Sequence, residues 1–234
     1  QRLLIYFRIA LIELKTINGQ LKCQVYNNFS QVTGLAQILS LNEYPTPHLI
    51  QIIGESLKKN QTVILPTDTI YGFFAPYNNV LLEKKIREIK VRDTKPFIHL
   101  VSSREELLGY SSTRIPDFIL NALPAPLTLI VESAKISGGN SSVAFRYPDN
   151  SFLVELVKYC GVPCLSTSAN ISGEPMPETE EGIVELFYNS TDIIITGGKI
   201  NTAASTILDI RQRPFQILRE GAYPVPEAWV KEKK

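Results

Sequence analysis

Hydroxyls, an amide and cations recur where the chain leaves its apolar runs: Thr67, Lys90, Arg92, Lys95, Arg146, Ser168, Asn170, Ser205 and Arg219. Such a set suits a polyanion. A nucleoside triphosphate losing pyrophosphate needs its developing charge neutralised, and positioned Lys and Arg do this without a covalent nucleophile. The densest piece is residues 165–175, Leu-Ser-Thr-Ser-Ala-Asn-Ile-Ser-Gly-Glu-Pro, which follows the apolar run 162–165 and precedes a helix-like segment. Small side chains at a strand exit let backbone N–H groups approach phosphate oxygens. Taken alone, the same stretch is an ordinary Ser/Asn turn capping a helix, and each cation alone is an ordinary solvated side chain.

Missing motifs narrow the chemistry. There is no Gly-x-x-x-x-Gly-Lys-Ser/Thr loop, no Gly-x-Gly-x-x-Gly, no His-Glu-x-x-His and no Gly-x-Ser-x-Gly, which argues against P-loop, Rossmann, zinc-protease and α/β-hydrolase sites. With only His48 and His99, and with Cys23, Cys160 and Cys164 spaced neither as C-x-x-C nor in an even number, no His/Cys metal centre is expected. The cysteines read as core residues in a reducing compartment. A net charge of +1 on 234 residues hides a basic cluster over 84–95 and gives no strong indication of a partner. No apolar run approaches the roughly 20 residues needed to span a bilayer, so no membrane partner is expected, and with a near-neutral charge no DNA partner is expected either. A cytoplasmic location is expected, with an organellar one left open because the numbering opens on Gln1.

The elements that must position these groups alternate. Loose alternation on both sides of Asn18-Gly19 predicts a β-hairpin over 11–26, and 27–44 reads as loop or short adaptors. Thr46-Pro47 predicts a helix start, with Leu49, Ile53 and Leu57 on one face, feeding a strand at 62–65. A polar loop at 66–72 precedes a helix from Asn79 to about Lys90. After it come a strand at 97–101, a Ser103-to-Glu106 capping box, strands at 127–131 and 143–147, and a helix at about 151–159. A helix at 177–188 and strands at 192–196, 205–210 and 215–219 complete the series. This is an α/β chain with a mixed sheet covered by helices and a ligand near strand ends. The expected division is an N-terminal extension over 1–45, a main domain over 46–226 and a tail over 227–234.

The motifs fall in a particular order: Pro66-Thr67-Asp68-Thr69-Ile70-Tyr71-Gly72, Lys90-Val91-Arg92 with Lys95-Pro96, then Leu123-Pro124-Ala125-Pro126-Leu127-Thr128-Leu129. Val143-Ala144-Phe145-Arg146-Tyr147-Pro148, Ser168-Ala169-Asn170, Ser205-Thr206 and Arg219-Glu220-Gly221 follow. Over about residues 49–223 this series resembles the YrdC-type threonylcarbamoyl-AMP synthases. The resemblance implies a YrdC-like twisted mixed sheet flanked by helices. It also implies that L-threonine, bicarbonate and ATP condense to L-threonylcarbamoyladenylate with release of pyrophosphate. That product serves the modification of the adenosine beside the anticodon in tRNA, so tRNA and the modification-complex proteins are implied partners, and Mg2+ is implied with ATP.

Residue by residue, the resemblance makes Lys90 and Arg92 catalytic groups that bind the phosphates and the threonine carboxylate. It places Thr67, Lys95, Arg146 and Ser168 at threonine and bicarbonate, and Ser168, Asn170, Ser205 and Arg219 at ATP. Three positions depart from the family pattern: Asp93 and Glu220 stand where prolines are usual, and Ala125 where glycine is. His99 lies one position before the place where many members carry histidine. One step along a strand reverses the facing side, so a structural role is expected for it. Two other readings stay open: a non-catalytic member of the fold that binds tRNA or double-stranded RNA, and a divergent paralogue acting on another carbamate or acyl-adenylate.

Overall fold

The computed structural model describes residues 2–7, 10–17, 20–26, 35–91, 96–133, 135, 141–199 and 203–231. The chain opens with β1 (Arg2–Phe7), β2 (Ala10–Ile17) and β3 (Gln20–Tyr26). β2 and β3 run antiparallel with Ile17 opposite Gln20, the register of the expected hairpin, and β1 pairs with β2 as an unforeseen third strand. The turn at Asn18-Gly19 lies outside the described residues.

Seventeen further elements follow: β4 (Gln37–Ser40), α1 (Thr46–Lys58), β5 (Val63–Leu65), β6 (Gly72–Pro76), α2 (Val80–Ile89), β7 (Ile98–Leu100), α3 (Arg104–Tyr110), α4 (Asp117–Leu120), β8 (Leu127–Ser133), β9 (Ser141–Arg146), α5 (Ser151–Cys160), β10 (Cys164–Ser168), α6 (Glu180–Phe187), β11 (Ile193–Thr196), β12 (Thr206–Asp209), β13 (Gln216–Arg219) and α7 (Glu227–Val230). Among the described residues the strands from β4 onward form one ten-stranded mixed sheet, ordered β13-β12-β8-β9-β7-β10-β6-β5-β11-β4. Fold class and sheet type are as expected.

Local chemistry explains the helices. Leu49, Ile53 and Leu57 of α1 are buried together, while Asn79, Asn150 and Thr179 cap α2, α5 and α6 by accepting from Leu82, Leu153 and Gly182 N–H. Ser103 caps α3 by accepting from Glu106 N. The Glu106 carboxylate, however, reaches one residue further back than a capping box requires, to the Ser102 N–H and hydroxyl. α1 differs too: its cap position is Pro45, with no side-chain cap bond, and Thr46 is already helical.

Three stretches differ from the sequence reading. The sheet begins before residue 46, because β4 pairs in parallel with β11. The expected tail carries α7, whose Trp229 packs on Tyr223 and Phe118. Finally, Ser166, Thr167 and Ser168 are strand and not loop: β10 lies antiparallel between β6 and β7. Two apolar clusters fill the fold. One joins α1, α2, α5 and α6 to the β4–β6 side of the sheet, and the other joins α3 and α4 to β8, β9 and β12.

Candidate functional site

The registers put small and polar side chains on one face of the sheet. Ile98 lies opposite Ser166 and Ala144, Leu100 opposite Arg146, and Ser168 opposite Gly72. Because paired residues share a face and neighbours alternate, Gly72, Ile98, Leu100, Arg146, Ser166 and Ser168 all point the same way. They line a cleft of about 200 Å³ that is completed by Thr67, Tyr71, Ser205 and Arg219. The cleft lies over this sheet face, and its lining comes from strand ends, as the sequence reading expected: Gly72 opens β6, Arg146, Ser168 and Arg219 close β9, β10 and β13, and Ser205 precedes β12. Gly72 is required there: a β-carbon would stand 2.8 Å from the Thr167 carbonyl oxygen.

Arg146 is the main charge. It is buried, with its Nη2 donating to Asp68 Oδ1 at 2.7 Å and its Nη1 to Thr69 Oγ1 at 2.8 Å. Its Nε is buried with no partner. Burial pushes its pKa down from the usual arginine value, Asp68 opposes that push, and Arg219 adds to it. Since a guanidinium does not give up its proton in proteins, Arg146 stays charged, and the buried Asp68 carboxylate balances it. Arg219 is itself lowered by burial, and grips the Ser205 carbonyl and hydroxyl at 2.8–3.1 Å. The Ser205 hydroxyl also meets Thr128 Oγ1 at 2.8 Å.

The other expected residues separate into those beside the cleft and those behind it. Thr67 lines it, but its hydroxyl donates to the Ile70 carbonyl and accepts from the Thr69 and Ile70 N–H groups, so it organises the loop. Ser168 lines it and donates to Asn170 Oδ1. Lys90 is buried and does not line the cleft. Its ammonium donates to the carbonyls of Ser168 and Asn170 and to Asn170 Oδ1, clamping the Ser168-Ala169-Asn170 exit of β10 from behind. The Asn170 amide closes the following turn by donating to the Ile171 and Glu174 carbonyls. Arg92, Asp93 and Lys95 lie outside the described residues.

Sequence reasoning missed Asp68, Thr69 and Tyr71, which stood inside the quoted loop. It named Ser166 among the donors of the 165–175 stretch but placed it in a turn, whereas Ser166 lines the cleft from strand β10. His99 is on the opposite face, as the one-step offset predicted. It packs against Phe145 and Tyr77 with its Nδ1 buried and unpartnered, and burial lowers its pKa to about 4. Ala125 is accommodated in the core with its N–H on the Tyr147 carbonyl. Among the described residues no three His, Cys, Asp or Glu side chains gather as a metal site. None of the described helices is long and apolar enough to cross a membrane.

Comparisons with known proteins place the chain by family and by fold. A family profile for Sua5, YciO and YrdC, described as telomere recombination, matches residues 55–221. A threonylcarbamoyl-AMP synthase of Pyrococcus abyssi is 30% identical over 200 residues, covering 81% of this chain and 59% of its own length. The crystal structure of P. abyssi Sua5 complexed with L-threonine superposes with a TM-score of 0.73 at 29% identity, over 82% of this chain and 60% of that one. E. coli YciO shares the fold at a TM-score of 0.71 and 24% identity, over 80% of this chain and 96% of its own. The chain thus spans about three fifths of the P. abyssi relative and nearly all of the E. coli one.

Proposed function

The chain belongs to the Sua5, YciO and YrdC family, and from that membership we propose that it makes L-threonylcarbamoyladenylate from L-threonine, bicarbonate and ATP, releasing pyrophosphate. The observation that carries this is Arg146: a buried guanidinium lining a hydroxyl-rich cleft, with a second arginine near it and its Nε unpartnered. With Asp68 balancing one of the two arginines, the cleft keeps a surplus positive charge that favours a bound anion. The relative of the same family whose structure holds L-threonine indicates which one.

In the proposed reaction the threonine amine forms a carbamate, either by adding to CO2 with loss of a proton or by condensing with bicarbonate with loss of water. A carbamate oxygen attacks the α-phosphorus, forming the C–O–P link while the bond to the β-phosphate oxygen breaks and pyrophosphate leaves. This chain's residues position and neutralise. Arg146 and the hydroxyls of Ser166 and Ser168 hold the threonine and carbamate end, Ser205 and Arg219 the nucleotide, and Lys90 and Asn170 fix the turn that carries Ser168. Arg92 and Lys95 belong to the same proposal on the resemblance alone. Magnesium would arrive on the ATP phosphates, because Asp68, the acid closest to the cleft's charge, is committed to Arg146. Delivery of the adenylate to tRNA-modifying partners is part of this reading.

Pyrophosphate release by the purified chain, with threonine and bicarbonate each left out in turn, tests the reading. Release that needs both substrates is expected. Folded protein that binds ATP yet releases nothing would favour a binding role in RNA recognition, or a different acyl-adenylate.

A further inference from the structure

Two consecutive side chains of the 66–71 loop converge on one guanidinium from a distant strand. Asp68 Oδ1 takes Arg146 Nη2 at 2.7 Å while its Oδ2 takes the Asp149 N–H at 3.2 Å, and Thr69 Oγ1 takes Arg146 Nη1 at 2.8 Å. Both ends of the ion pair are almost wholly buried, with side-chain exposures of 5% for Arg146 and 7% for Asp68. Neither Asp68 nor Thr69 lines the cleft, whereas Arg146 does. Thr69 is in turn held by Thr67, whose hydroxyl lies 3.0 Å from its own.

We propose that Asp68 and Thr69 are the positioning residues of this site: they fix the plane of the Arg146 guanidinium so that its remaining N–H groups meet the anionic end of the substrate. The proposal rests on the synthase reading only for its kinetic consequence. A long arginine side chain otherwise spends rotamer entropy each time it engages a ligand, and a planar fork held on two sides has already spent it. Thr67 fixes Thr69, Thr69 and Asp68 fix Arg146, and the Asp149 N–H ties the same carboxylate to the chain just ahead of α5. The loop after β5 and the exit of β9 thus become one rigid unit beside the cleft.

The test compares Asp68→Asn, Thr69→Val, Arg146→Gln and the double variant Asp68→Asn/Arg146→Gln. In pyrophosphate release, Asp68→Asn should raise KM for threonine roughly tenfold to hundredfold, the range for a misplaced charge-assisted hydrogen bond, with kcat and KM for ATP nearly unchanged. Thr69→Val should raise it severalfold, Asp68→Glu should recover part of the loss, and the double variant should be no worse than Arg146→Gln alone. Losses that multiply in the double variant, or a parental threonine KM in folded Asp68→Asn, would overturn the proposal. If Asp68→Asn does not fold, Thr69→Val carries the comparison, since it leaves the ion pair intact; a parental KM there counts against the proposal.

A second readout is independent of turnover: the Arg146 Nε–H resonance, assigned by its absence in Arg146→Gln. It should be sharp and slow to exchange in the parent, and shifted and fast to exchange in Asp68→Asn or Thr69→Val. An unmoved resonance overturns the positioning role. A moved resonance in a parent that releases no pyrophosphate upholds the placement of Arg146 and removes the synthase reading alone.

Discussion

At the scale of single residues, Lys90 is a buried clamp. Its ammonium satisfies two carbonyls and one amide oxygen at the exit of β10, and it sits over the Phe73 ring at 5.8 Å. Lys90→Met keeps the stem but takes the ammonium donor from the Ser168 and Asn170 carbonyls, while Asn170 Oδ1 keeps the Ser168 hydroxyl; the loss costs about 1–3 kcal/mol. Urea denaturation should show that loss. Pyrophosphate release should fall by more than the unfolded fraction explains, because the turn carrying Ser168 loosens. Parental stability with parental turnover would remove the clamp. His99 makes a separate prediction. Burial depresses its pKa from 6.5 to about 4, so the folded chain keeps the ring neutral where the unfolded chain already takes a proton. Stability is fully present above pH 6.5, falls as pH drops from 6.5 to 4, and is flat below that. The greatest loss from this group is about 3 kcal/mol, from 1.36 kcal/mol per unit. His99→Leu should flatten the pH dependence of the denaturation midpoint across that window; an unchanged slope would assign it to the carboxylates instead.

At the scale of elements, β12 and β13 depend on one residue without a side chain. A β-carbon at Gly221 would lie 2.2 Å from the Ala204 carbonyl oxygen and 2.7 Å from Ser205 C and Thr206 N, all backbone atoms. Gly221→Ala must therefore displace the strand start that holds Ser205 and the Arg219 grip. A destabilisation of about 1–3 kcal/mol is expected, with weaker ATP binding in a titration. Gly109→Ala is the control: nothing lies within 4 Å of its β-carbon and it sits in α3, so it should gain about 0.5–1 kcal/mol from helix propensity. The same contrast explains what could be read from the chain alone. The helices were legible because their signals are local, such as the Ser103 cap and the Leu49, Ile53, Leu57 stripe. β10 was read as loop because serines and threonines mark turns, and only its neighbours β6 and β7 make Ser166 and Ser168 strand residues. β4 and β6 were too short, at 4 and 5 residues, to declare a period. Within the site, Arg146 stood out as a charge in an apolar run. Asp68 did not, since its partner is 78 residues away in the chain.

At the scale of the whole molecule, the question is where the folding unit of the cleft begins. The sequence put that point at residue 46, but β4 is the edge of the ten-stranded sheet. Ala36 N donates to the Tyr188 carbonyl, Gln37 N to that of Asp192 and Leu41 N to that of Thr196, at 2.8–2.9 Å. Ala36 and Leu39 are buried in the larger apolar cluster. Removing residues 1–45 strips that edge, exposes β11 and deletes Leu39, whose buried side chain alone contributes about 1.5–3 kcal/mol. Removing only residues 1–34 takes away β1–β3, which share no ladder with the ten-stranded sheet among the described residues. The shorter truncation should therefore keep the denaturation midpoint close to the parent's and retain pyrophosphate release. The longer one should lose about 3–5 kcal/mol, from the buried side chains together with the lost ladder, and aggregate through the bared β11 edge. Equal stability of the two would return the boundary to residue 46. A collapse of both would mean that the three-stranded sheet supports the cleft through contacts other than backbone pairing.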